Sequence, residues 1–115
     1  MSENMKKPPN PAKVFLQQYR KALVYKRHLT MHDADGMQSA ELENAQKNIE
    51  NVFGVITMVP NPIQRDLLMM RYVSGWSWPR CIMEMQNYGY AERSTYELHG
   101  RALQAVEKIL ADSSE

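Results

Sequence analysis

Apolar positions recur at steps of three and four along most of this chain, most densely between residues 61 and 110. Three periodic segments follow one another there, at 63–73, 78–85 and 93–110. Gly75 and Ser77 separate the first pair, and Asn87, Gly89 and Tyr90 separate the second. Such spacing predicts three short helices with tight turns, the last two forming a helix-turn-helix.

Upstream, residues 1–11 are polar and carry Pro8, Pro9 and Pro11, which predicts an extended tail. A helix is expected from about residue 12 to 31, with Phe15, Leu16, Tyr19, Leu23 and Leu29 near one face. The segment His32-Asp33-Ala34-Asp35-Gly36 supplies turn chemistry. A second helix is expected over 38–59, entered near Ser39, with Leu42, Ala45, Ile49, Val52, Phe53 and Ile56 on its apolar stripe. Pro60 and Pro62 end it. The two helices can pair as an antiparallel hairpin joined by a short loop.

In the first of the three C-terminal segments, Ile63, Leu67, Met70 and Val73 share one side, and Leu68, Met69 and Tyr72 widen it. This helix is expected to bury more than one face. Ser77 is a good N-cap for the next, and Pro79 is tolerated in its first turn. Trp78, Ile82 and Met85 should face the core there, with Met83 partly so. The last helix should bury Leu98, Ala102, Val106 and Ile109, flanked by Leu103 and Leu110. Its start is ambiguous, because Ala91 is a poor cap while Ser94 and Glu97 have capping-box spacing. No convincing strand pattern is present, so the expected fold class is all-α. The expected division is a tail (1–11), a two-helix arm (12–59), a helix-turn-helix domain (60–111) and a frayed end (112–115).

Composition narrows this picture without redirecting it. At 43% apolar and 23% charged, the 115 residues are ordinary globular material. One cysteine, Cys81, leaves no internal disulfide, and no apolar run is long enough to span a bilayer. The start of the chain has basic residues without an apolar stretch after them, unlike a signal peptide. A cytoplasmic location is the expectation.

Enzyme chemistry finds little support. The five glycines never cluster into a phosphate-cradling loop. Cys81 and His99 invite a nucleophile–base pairing, but Cys81 stands where small apolar residues pack, which favours a structural thiol. His28 and His32 have helical metal-pair spacing, and Asp33, Asp35 and Gly36 faintly resemble a calcium loop. Asn44 stands where that loop needs glutamate, and a surface turn explains the residues equally well. No enzyme activity, metal or cofactor is expected.

The ordered set Arg71-Tyr72-Val73-Ser74-Gly75-Trp76-Ser77-Trp78, then Ile82, Tyr90 and Leu98-His99-Gly100-Arg101-Ala102-Leu103, resembles a known pattern. It is similar to the C-terminal helix-turn-helix of the ArpU/RinA-like phage transcriptional regulators, themselves similar to region 4 of bacterial sigma factors. The resemblance covers about the last 50 residues. It implies a three-helix sigma-like helix-turn-helix, sequence-specific binding of double-stranded DNA and control of phage late genes, with host RNA polymerase as a further partner. The recognition helix would run from Ala91 to about Leu110. Glu92, Arg93, Tyr96, Glu97 and Gly100 would then face base edges in the major groove. Arg93 could read guanine and Glu97 could accept from a cytosine amino group. Arg80, Ser94, Tyr96 and Arg101 would be phosphate contacts. Gly100 would let the backbone come close to a phosphate or another helix. The chain departs from the pattern at Ala91, Thr95 and Met83, where the family tends to have a Ser or Thr cap, Val and Ala.

Charge complicates a DNA-binding role. Residues 61–115 hold six basic and seven acidic side chains, a net of −1, with Glu92 and Glu97 beside the expected groove surface. A module that binds DNA alone normally neutralises several phosphates. The preceding half holds eight basic and six acidic residues, and its first helix carries Lys13, Arg20, Lys21, Lys26, Arg27 and His28. That basicity is either a solvated face or an arm touching phosphates or an acidic partner. A homodimer is expected, because a second half-site would add affinity. Two alternatives stay open: a protein-interaction module that binds RNA polymerase or another regulator, and a packaging protein of small-terminase type.

Overall fold

The computed structural model describes residues 10–32 and 39–113. Among these the fold is all-α: α1 (Pro11–His32), α2 (Ser39–Thr57), α3 (Pro62–Leu68), α4 (Trp78–Gln86) and α5 (Glu92–Ser113). A π-helical segment, Met69–Val73, continues α3. The turn at 33–36, with the calcium-like Asp33, Asp35 and Gly36, lies outside the described residues, as does most of the N-terminal tail. So does the side chain of His32, and with it the His28–His32 pairing.

Four of the five helix starts have a local cause in the described residues. Asn10 opens α1, its Oδ1 accepting from the Lys13 N–H at 3.1 Å, with Pro11 in the first position where no N–H is needed. Asn61 does the same for α3, accepting from the amides of Ile63 and Gln64. Ser77 caps α4 as expected, accepting from the Arg80 amide at 3.4 Å, and Pro79 sits in that first turn. For α5, the Ala91 carbonyl accepts from both the Thr95 amide and the Thr95 hydroxyl at 2.9 Å. The helix therefore starts at Glu92, and Ser94 lies inside its first turn rather than capping it.

α1 and α2 run antiparallel, bridged by hydrogen bonds from the Tyr25 hydroxyl to Glu41 and from the Lys26 ammonium to Gln46. They also share a core with the C-terminal helices. Ala12 and Leu16 of α1, Val52 and Ile56 of α2 and Val59 pack with Leu68, Tyr72, Ala102, Leu103 and Val106. The valine, leucine and isoleucine side chains among them each contribute roughly 1.5–3 kcal/mol when fully buried. A smaller cluster joins Leu67, Met70, Cys81, Met85 and Leu98, with Ile63, Trp76, Trp78 and Tyr90 against it. α3 and its π segment serve both clusters, Leu68 and Tyr72 on one side and Leu67 and Met70 on the other. That is the two-faced burial its broad apolar pattern implied.

Three expectations need correcting. Residues 63–73 are not one regular α-helix, because Ser74 N–H donates to the Met69 carbonyl at 2.8 Å, widening the last turn. Phe53 is 46% exposed, on the rim of the α2 stripe rather than in the core. Met83 is 66% exposed, in solvent rather than partly in the core.

Candidate nucleic-acid interface

α4 and α5 meet through a turn at 87–91, in which Gly89 takes φ +90° and the amides of Tyr88 and Tyr90 both donate to the Met85 carbonyl. Positive φ is cheap only for glycine, so the turn is matched to its sequence. The contact between the helices is aromatic. Trp78, the first residue of α4, packs its ring 5.0 Å from Tyr96 and 4.7 Å, edge-on, from His99. Cys81 and Met85, one and two turns further along α4, are fully buried. α4 is thereby held across the first half of α5 by its own buried side.

What α4 leaves uncovered on α5 is a stripe. Glu92, Arg93, Tyr96, Glu97, Gly100, Arg101 and Gln104 are all exposed, while Thr95, Leu98, His99 and Ala102 are buried. The stripe from Glu92 to Gln104 is about 18 Å long at 1.5 Å per residue. All five residues expected to face base edges therefore lie on one solvent-facing surface. Of the expected phosphate contacts, Arg101 and Arg80 are exposed and Ser94 is half-buried.

The charges on this stripe are not free. Arg93, with 91% of its side chain exposed, forms an ion pair with Glu97 one turn on, at 3.5 Å. Such exposed i,i+4 pairs contribute only about 0.3–0.5 kcal/mol, so a stronger partner can break it. Glu92 sits in the first turn of α5, where its carboxylate complements the helix dipole and competes with any incoming phosphate. Arg80 is engaged as well, its guanidinium lying 3.9 Å over the Trp76 ring. That stacking fixes its direction while leaving its N–H groups available.

Gly100 has open space on the side where a Cβ would point, so no internal contact requires glycine there. In the middle of a helix that choice costs about 1 kcal/mol relative to alanine.

Pattern reading missed the layer beneath the stripe. Arg71 donates to the Trp76 carbonyl at 2.8 Å and lies 5.1 Å over the Trp78 ring. Behind it Tyr72 bonds His99, and burial pushes that phenol up to about 12. Burial pulls the His99 imidazole down to about 4, and the nearby charges of Lys13 and Arg71 act in the same direction. The signal was present: His99 is four residues after Thr95 and three before Ala102, on the buried stripe. The imagined Cys81–His99 pair does not form. His99 is engaged by Tyr72, the Cys81 thiol points to the Trp76 carbonyl at 3.9 Å, and burial raises the pKa of that thiol. A nucleophilic cysteine needs the opposite shift.

Among the described residues, no group of three His, Cys, Asp or Glu side chains is placed to hold a metal ion. No described helix is long and apolar enough to cross a membrane. No family model, curated protein or solved structure matches the chain.

Proposed function

We propose that this protein is a sequence-specific DNA-binding transcriptional regulator that uses α4 and α5 as a sigma-like helix-turn-helix, and that its resemblance to the ArpU/RinA-like regulators reflects a role at phage late genes. The observation that carries this reading is the bare stripe on the first half of α5, braced from behind by Trp78. A helix with side chains is about 10–12 Å across, and the major groove is about 12 Å wide. A stripe about 18 Å long can therefore lie in the groove with Arg93, Tyr96 and Glu97 at the base edges and Arg80 and Arg101 at the flanking phosphates. Arg93 exchanges its carboxylate partner for guanine, and Glu97 is freed to accept from cytosine.

The test is selection of bound sequences from a random duplex pool, followed by gel shifts over a salt series. The expected result is a recurrent motif whose affinity falls with salt. Arg93→Ala should cost about 1–3 kcal/mol at one base position and little elsewhere. No recovered motif, with no shift even at low salt, would reject the reading.

One observation favours a second reading. Met83, Pro79, Ile82 and Tyr96 border a shallow groove with Glu92 at its rim. Exposed methionine and tyrosine beside a carboxylate suit a protein partner, RNA polymerase among them. Capture of purified polymerase by a protein that shifts no duplex would select this reading over the first.

A further inference from the structure

α1 spans 22 residues without a single Asp or Glu, and it holds Lys13, Arg20, Lys21, Lys26 and Arg27. Helices of a solvated surface normally mix signs, and a one-sign face is costly unless something neutralises it. α2, the neighbouring helix, shows that mixture with Glu41, Glu43, Lys47 and Glu50. Among the described residues, no lysine or arginine of α1 is in an ion pair with a carboxylate.

Four of these five cations fall on one side of the helix, while Lys26 turns toward α2 and bonds Gln46. Ala12, Leu16, Ala22 and Leu29 are buried against the rest of the protein, whereas Lys13, Gln17, Arg20, Lys21, Val24 and Arg27 are exposed. Across the α1–α2 contact, Glu41 borders one groove with Lys21 and accepts from the Tyr25 hydroxyl. The exposed side also borders the π segment and the turn after it. Arg20 donates to the Val73 carbonyl at 3.2 Å, and Arg20, Lys21 and Gln17 form one groove with Arg71 and Gly75. Arg71 lies over Trp78, and Trp78 packs on Tyr96. Lys13 is close enough to His99 to disfavour its charged form. A positive seam therefore runs from α1 through Arg71 to the edge of the α5 stripe.

We infer that this face of α1 is a second phosphate-binding surface, so that one DNA duplex is gripped both by α5 in the groove and by Lys13, Lys21 and Arg27 along the backbone. The inference rests on the DNA-binding reading. It also resolves the charge problem, because the C-terminal half is net negative and cannot supply the phosphate contacts alone. From Lys13 to Arg27 the helix rises about 21 Å. That length is enough for Lys13, Lys21 and Arg27 to reach separate phosphates of a duplex backbone.

The experiment uses the full chain and a mixed-sequence DNA duplex, with binding measured over a salt series. Lys13→Gln, Lys21→Gln and Arg27→Gln are made singly and together; Arg20 is left alone because it also ties α1 to Val73. The side chains are exposed, and circular dichroism with thermal melting confirms that each variant stays folded. Each single change should flatten the slope of log K against log salt by about 0.9. The triple variant should lose affinity roughly 10–100-fold, and equally for all sequences. Lys47→Gln, on the exposed side of α2, should change nothing. If the triple variant keeps the wild-type slope while Arg93→Ala still relaxes preference at one base position, the α1 surface is refuted and the DNA-binding reading stands. If the wild type shifts no duplex at low salt, both fail. If the triple variant binds DNA normally but no longer binds poly-glutamate, the occupant is an acidic protein and the inference is overturned.

Discussion

The Tyr72 hydroxyl lies 2.7 Å from Nε2 of His99, joining the π segment to α5 inside the protein. The rings stack at 5.7 Å, and Trp78 closes the other edge of the imidazole. His99 is only 9% exposed, so its proton is controlled by this enclosure rather than by water.

The enclosure makes stability depend on pH. His99 stays neutral in the folded state down to about pH 4, whereas an unfolded chain protonates it near its ordinary value of 6.5. Its contribution is present in full above 6.5 and is lost as pH falls toward 4. The loss should be on the order of 2–3 kcal/mol. Urea unfolding of the wild type and of His99→Gln at pH 7 and pH 4.5 checks this, since the difference between the two proteins removes the contribution of the carboxylates. An equal loss in both would show that His99 is not responsible. Tyr72→Phe should cost about 1–3 kcal/mol at pH 7, leaving a buried imidazole nitrogen without its partner.

Gly75 and Gly89 both have positive φ, at +75° and +90°, but their surroundings differ. A Cβ on Gly75 would meet the Arg20 guanidinium carbon at 3.0 Å, and one on Gly89 would meet nothing within 4 Å. Each alanine substitution should cost about 1–2 kcal/mol through backbone strain. Gly75→Ala should cost more and recover part of the excess in an Arg20→Ala background. Thermal melts of the wild type, the three single variants and the double variant decide it; equal costs at both glycines would mean that Arg20 simply moves aside.

Gly100 separates fold from function. Gly100→Ala should raise stability by about 0.5–1 kcal/mol, because the added methyl has room and the helix gains propensity. The same holds for Gly54 in α2, which also has open space. If α5 lies in the groove as proposed, Gly100→Ala should weaken DNA binding while Gly54→Ala leaves it intact. Parallel melting curves and gel shifts of the two variants measure this.

Leu16 is fully buried among residues of α2, the π segment and α5. Leu16→Ala should cost about 2–5 kcal/mol and weaken amide-exchange protection in α5 as well as in α1. Protection lost in α1 alone would show that the two halves unfold separately.

Cys81 should resist thiol reagents in the native state and react only on unfolding, since it is fully buried and its pKa is raised. Labelling rates with and without urea test this; rapid native labelling would reveal a mobile α4.

The helices and most of their ends were legible in the sequence because their causes are local. Asn61, Ser77, Pro62 and Pro79 act within one turn, and the steps of Leu98, Ala102 and Val106 show directly which side of α5 is buried. By itself the sequence determined an all-α chain, with a short capped helix, a glycine turn and a long final helix with Arg93, Tyr96 and Glu97 outward. Only the tertiary structure decided that α1 and α2 share a core with α5, since Leu16 and Val106 are 90 residues apart and periodicity carries no information on which stripes meet. It likewise decided that residues 69–73 open into a π turn, that Met83 stands in solvent, and that His99 is locked between Tyr72 and Trp78. Those outcomes depend on which helix covers which, and that is settled by packing across the whole molecule.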